Sequence, residues 1–139
     1  MPCELENALL QEIIAPIVQR IPNVQAVYLF GSAVSGQTHP GSDIDVAVIA
    51  PFRLDTVALW ELGQEMAARM GRDVDLVDLG SASTVMRAQV IAGGRRIYCA
   101  EEAFCEVFED TAYKAYARLN EERRAILEDI KRRGSIYGR

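Results

Sequence analysis

A chain of 139 residues, 50% of them hydrophobic, is long enough for one compact domain with its own core and leaves little room for a second. Its formal net charge of -5, from 20 acidic against 15 basic residues, argues against a nonspecific nucleic-acid binder, which needs a basic field to neutralise phosphates. No apolar run approaches the roughly 20 residues that span a bilayer. The three cysteines, Cys3, Cys99 and Cys105, lack metal-ligand spacing and follow no secretory leader, so the expectation is a reducing, cytoplasmic setting in which Cys99 and Cys105 act as semi-buried filler.

Residues 4–15 place Leu5, Leu9, Leu10, Ile13 and Ile14 at helical spacing, which predicts an amphipathic helix ending near Pro16, with 17–21 as a continuation past a kink. Residues 24–30 read as a buried strand of β-branched and aromatic side chains, broken at once by Gly31-Ser32. Gly36, Pro40 and Gly41 make part of the segment 33–42 a loop. Residues 44–50 are nearly all apolar, as a central strand covered on both faces should be, and Pro51 stops them. Asp55, or the turn before it, caps a helix running to about Met70 and ended by Gly71. A third strand is expected over 73–79, then a helix capped by Ser81 or Ser83 and closed by Gly93-Gly94, then a short edge strand over 96–99.

From Glu101 to about Arg133 the pattern is helical, read as two segments anchored by Phe104, Phe108, Tyr113, Tyr116, Leu119, Ile126, Leu127 and Ile130. The order of elements predicts an α+β (α/β-like) fold, a small mixed sheet flanked by helices with a C-terminal helical segment. The expected organisation is a single domain over 1–139, with a core at about 22–100 and C-terminal helices at about 101–133.

The chemistry concentrates in Ser42-Asp43-Ile44-Asp45. Side chains at i and i+2 of a strand share a face, so Asp43 and Asp45 point together while Ile44, Val46 and Val48 turn to the core. Two adjacent carboxylates repel, which calls for a cation or an arginine between them, and magnesium is the sharper expectation. In Asp73-Val74-Asp75-Leu76-Val77-Asp78, Asp75 is the best third member; Asp73 lies at the strand edge, and Asp78 suits a turn or a helix start. Such a triad can hold two magnesium ions about 3.5–4 Å apart, one activating a hydroxyl and the other steadying a leaving pyrophosphate. The third aspartate can also take the hydroxyl proton. Gly31 lets backbone approach phosphate, and the Ser32 hydroxyl, with the amides of any helix starting there, can donate to its oxygens. No GxxxxGK[ST] motif is present, so this is not a Walker-type phosphate loop.

Gly-Ser, about ten residues, then Asp-x-Asp with a later strand carboxylate resembles the nucleotidyltransferase superfamily typified by DNA polymerase beta and kanamycin nucleotidyltransferase, matched here by Gly31, Ser32, Asp43, Asp45 and Asp75. Within it the chain most resembles the minimal nucleotidyltransferases, the MntA-like antitoxins paired with HEPN-domain toxins, over essentially its whole length. The finer match includes Phe30-Gly31-Ser32-Ala33 and the segment from Val90 to Tyr98. The resemblance implies a nucleotidyltransferase fold, ATP as substrate, and transfer of one or several AMP units to a tyrosine of a partner HEPN toxin in a hetero-oligomer, silencing its RNase activity. It implies Asp43, Asp45 and Asp75 as catalytic and metal-binding residues and Gly31 and Ser32 as the nucleotide-holding turn. Direct nucleic-acid binding and membrane association are not expected. Two alternatives stay open: a small-molecule, aminoglycoside-like nucleotidyltransferase, and an antitoxin that neutralises its toxin by binding alone.

Other residues carry weaker signals. Arg53, Arg72, Arg87, Arg95 and Arg96 suit solvent or salt bridges first and phosphate or an acidic partner second. His39 has no second histidine or cysteine at ligand spacing. The basic stretch 123–133 reads first as a solvated helix face and second as a docking patch for an acidic partner or RNA. Tyr113 and Tyr116 fit a packing stripe that can extend into a partner-binding face.

Overall fold

The computed structural model describes the backbone of residues 2–31 and 43–137 and the side chains of residues 7–31 and 43–133. Along the chain come helix α1 (Pro2–Arg20), strands β1 (Ala26–Phe30) and β2 (Ile44–Ile49), helix α2 (Thr56–Met70) and strand β3 (Val74–Asp78). A 3-10 turn (Leu79–Ser81), helix α3 (Thr84–Gly93), strand β4 (Arg95–Cys99) and helix α4 (Glu102–Tyr137) complete it. The sheet order is β3-β2-β1-β4. β1 runs antiparallel to both β2 and β4, and β2 runs parallel to β3 through the α2 crossover. This is the expected small mixed sheet flanked by helices, with its first two strands adjacent.

Strand alternation divides the core between the two faces of the sheet. Val27, Leu29, Ile44, Val46, Val48 and Val74 pack with Ile13 and Ile17 of α1 and with Leu59, Leu62 and Met66 of α2. Ala26, Tyr28, Ala47 and Ile49 turn the other way, onto Leu79, Val90 of α3 and Cys105 of α4. Asp45 has the same parity as Ala47 and Ile49, so it lies on the α3 and α4 side. Local chemistry sets the ends of the helices. The Asp55 carboxylate accepts from the Ala58 amide at 2.9 Å, and the Ser83 hydroxyl accepts from the Met86 amide at 3.1 Å. Gly71 closes α2 at φ 69°, donating its amide to the Ala67 carbonyl.

Three expectations change. Helix α1 does not end near Pro16 but continues past it to Arg20. Proline inside a helix costs about 3 kcal/mol, but Ile13 and Ile17 on either side of it are both fully buried, and each such side chain contributes about 1.5–3 kcal/mol. The C-terminal region is one continuous helix, not two, and passes Gly134. No glycine or proline interrupts residues 102–133, and a single glycine costs only about 1 kcal/mol. The anchors proposed for its far half do not anchor: Ile126, Leu127 and Ile130 are 58%, 62% and 57% exposed. A 36-residue helix is about 54 Å long and outruns the layer it packs on. Among the described residues, no helix is long and apolar enough to cross a membrane.

Candidate active site

β1 ends at Phe30, which pairs with Asp45, and the parallel register of β2 and β3 sets Asp45 directly opposite Asp75. Asp43 lies two residues before Asp45, and its charge is felt there. Asp45 and Asp75 therefore meet at one end of the sheet, with Asp43 close by, just before β2 begins. Asp43 and Asp75 are exposed, and Asp45 is half-buried. Burial first, then the negative charges of Asp75 and Asp43, hold the Asp45 carboxyl above its ordinary value. Negative charge is thus concentrated around Asp45, the condition that favours a hard cation.

Gly31 closes the site from the β1 side. Its φ of 71° is left-handed, and a Cβ built on it would stand 2.4 Å from Asp45 Oδ2. Only glycine lets the backbone lie against that carboxylate, which places the Gly31 turn beside the acidic cluster with no side chain between. Ser32 and His39 lie outside the described residues.

The donor set suits magnesium in kind: hard oxygen ligands, clustered, with one carboxyl already resisting ionisation. Among the described residues, no group of three or more His, Cys, Asp or Glu is placed so that it could hold a metal ion.

The Asp78 side chain and the Asp73 backbone have structural duties. Asp78 Oδ2 accepts from the Leu54 amide at 3.0 Å and from the Ser81 hydroxyl at 2.8 Å, fixing the turn after β3. The Asp73 carbonyl accepts from the Ile44 amide at 2.8 Å, tying the entry of β3 to that of β2. Two of the arginines are also structural. Arg87 donates to the carbonyls of Leu79 and Gly80 and lies over the Phe108 ring, 5.4 Å from its centroid. Arg96 donates to Glu109 at 2.9 Å and to Glu102 at 2.5 Å.

Two supports of the site escaped sequence reasoning. The Tyr28 hydroxyl donates to Glu109 Oε2 at 2.7 Å, the same oxygen that accepts from Arg96, so α4 is tied to the middle of β1. Burial, then the hydrogen bond and charge of Glu109, hold the Tyr28 phenol far above its ordinary value and keep it a donor. Gly94, read only as a helix stop, is extended at φ -96°. A Cβ there would meet the Val90 carbonyl oxygen at 2.3 Å and the Leu29 carbonyl oxygen at 2.6 Å. The only prior signal was the doubled glycine. An apolar cavity of about 220 Å³ lined by Ile21, Phe52, Leu54 and Leu62 lies beyond the opposite end of β2 and includes none of the three carboxylates.

The carboxylates therefore lie at the end of a mixed sheet, with the Gly31 turn against Asp45. Residues 12–103 match the family described as polymerase beta, nucleotidyltransferase. The chain is 43% identical over 119 residues to the protein adenylyltransferase MntA of Shewanella oneidensis, covering 86% of this chain and 85% of that protein. A crystal structure of a toxin-antitoxin with AMP-PNP superposes with a TM-score of 0.79 at 42% identity, covering 88% of this chain and 98% of that one. The structure of a tri-AMPylated Shewanella oneidensis HEPN toxin in complex with MNT antitoxin gives 0.73 at 39% identity, covering 88% and 95%. The chain belongs to the polymerase beta nucleotidyltransferase family, in the same group as the MntA adenylyltransferases.

Proposed function

We propose that this protein is an antitoxin that transfers AMP from ATP to a tyrosine hydroxyl of a partner HEPN-domain toxin. The observation that carries the reading is the register that opposes Asp45 to Asp75 while Gly31 lies against Asp45, in a chain so similar to an MntA adenylyltransferase. We read residues 1–139 as one minimal nucleotidyltransferase domain, its core at about 22–100, working in the cytoplasm where ATP and its toxin meet.

In this reading Gly31 and Ser32 hold the triphosphate through backbone amides and a hydroxyl, orienting the α-phosphorus towards the acceptor. Two magnesium ions, held by Asp43, Asp45 and Asp75, would supply Lewis-acid stabilisation of the phosphate charge. Asp75, exposed at the cluster's rim, is open to an incoming hydroxyl and accepts its proton. The tyrosine oxygen then bonds to the α-phosphorus as the bond to the bridging oxygen of the β-phosphate breaks, and pyrophosphate leaves. The site lies open at the surface, so the acceptor arrives on a protein with its own docking surface.

The test is intact-mass spectrometry of the partner toxin after incubation with this protein, ATP and magnesium. One or more AMP additions are expected, lost when Asp43 and Asp45 both become asparagine. Transfer that survives the double change overturns the assignment of the site. Toxin control undiminished with Asp43, Asp45 and Asp75 all neutralised would leave binding, not chemistry, as the function.

A further inference from the structure

Cys99, the last residue of β4, and Cys105, in the first turn of α4, bring their sulfurs to 2.8 Å from each other across the short link between strand and helix. Both are free thiols; Cys105 is fully buried and Cys99 partly exposed. A disulfide needs about 2.05 Å between sulfurs, so closing the pair asks for about 0.8 Å of combined movement. The spacing in sequence suggested filler. The strand-to-helix turn makes the two thiols partners.

We propose that Cys99 and Cys105 form a reversible thiol–disulfide site, closed by a peroxide and reopened by a dithiol, that staples the end of β4 to the start of α4. The roles divide by environment. Cys99 is the sulfur an oxidant can reach. Burial, then the hydrogen bond and charge of Cys99, push the Cys105 thiol up to about 12; the nearby Arg96 guanidinium opposes that rise and Glu102 adds to it. The Cys99 thiolate attacks one oxygen of hydrogen peroxide, the O–O bond breaks, and the departing hydroxide takes a proton to become water. The Cys105 sulfur then attacks the Cys99 sulfenic sulfur, the S–S bond forms, the S–O bond breaks, and a second water leaves. Two thiols and one peroxide become one disulfide and two waters.

The staple lands one helical turn before Glu109, the residue that binds Tyr28 and Arg96. It would reinforce covalently the attachment that those bonds make between α4 and the sheet.

The experiment uses the full chain carrying Cys3→Ser, which removes the third thiol. After treatment with a slight excess of hydrogen peroxide, the expected result is a monomer lighter by two hydrogens, with no added oxygen and no thiol reactive to maleimide after denaturation. Dithiothreitol should restore both thiols, and the oxidised form should melt roughly 3–8 °C higher than the reduced form. With Cys105→Ser added, Cys99 should instead accumulate as a sulfenic acid trapped by dimedone. The proposal is overturned if both thiols stay reactive, if Cys99 only gains oxygen, or if the product is a disulfide between two chains. Should the Cys105→Ser protein fail to fold, the mass and thiol count of the parent decide.

Discussion

Asp45 carries a charge that its surroundings resist, because it is half-buried and shares its end of the sheet with Asp75 and Asp43. Its folded-state carboxyl binds a proton more tightly than the ordinary value of 3.8, so the folded protein has its full stability from this group only below that value and loses it as pH rises through the folded one. Asp45→Asn should therefore raise the Tm of the chelator-treated protein at neutral pH, with the difference shrinking to nothing in acid, while AMP transfer disappears. Thermal melts at several pH values check this; a lower Tm at neutral pH would mean the carboxylate is compensated. Gly31 makes the complementary case. Gly31→Ala combines a left-handed φ of 71° with a Cβ 2.4 Å from Asp45 Oδ2. Strain of about 1–3 kcal/mol should displace the carboxylate and lower kcat by about tenfold or more, measured as pyrophosphate release.

Helix packing decides how firmly the end of β1 is held. Gly94 sits where α3 passes into β4, against the Leu29 carbonyl and the Phe30 side chain, one residue from Gly31. Gly94→Ala must push backbone rather than a flexible side chain. We expect a loss of about 1–3 kcal/mol in urea denaturation together with reduced AMP transfer, because the displaced strand end leads into Gly31, which lies against Asp45. The tie between α4 and the sheet can be tested on its own. Tyr28→Phe removes one hydrogen bond to a carboxylate and should cost about 1.5–3 kcal/mol. Glu109→Ala strands both the Tyr28 hydroxyl and one arm of Arg96, so it should cost more than Tyr28→Phe. Denaturation curves of the two variants rank them; the reverse order would mean that Glu109 pays its own desolvation poorly.

Across the molecule, stability is unevenly distributed along α4. Its first turns are fixed by Cys105 in the core, by the Phe104–Phe108 ring stack at 6.3 Å and by Glu109, whereas Ile126, Leu127 and Ile130 are more than half exposed. Replacing those three by alanine should change the free energy of unfolding by no more than about 0.5 kcal/mol each. Chemical denaturation reads this directly, and a large loss would reveal packing in the far half of the helix.

Much of this architecture was legible because strand and helix periods are local. The alternation in Ile44, Val46 and Val48 marked the buried face of β2, and Asp55, Gly71 and Ser83 announced helix ends through backbone chemistry that needs no distant partner. Asp43 and Asp45 were placed on one face by the same alternation. What lay beyond reach depended on residues far apart in the chain. The survival of α1 through Pro16 follows from burial of Ile13 and Ile17 on the sheet, and the meeting of Asp45 with Asp75 follows from a parallel register that no local pattern encodes. The exposure of Ile126, Leu127 and Ile130 reflects where the sheet layer ends, and the contact of Cys99 with Cys105 depends on the angle at which α4 leaves β4. Local periodicity thus specified which side chains share a face, whereas long-range packing, which balances burial against local preference over the whole chain, set which of them touch.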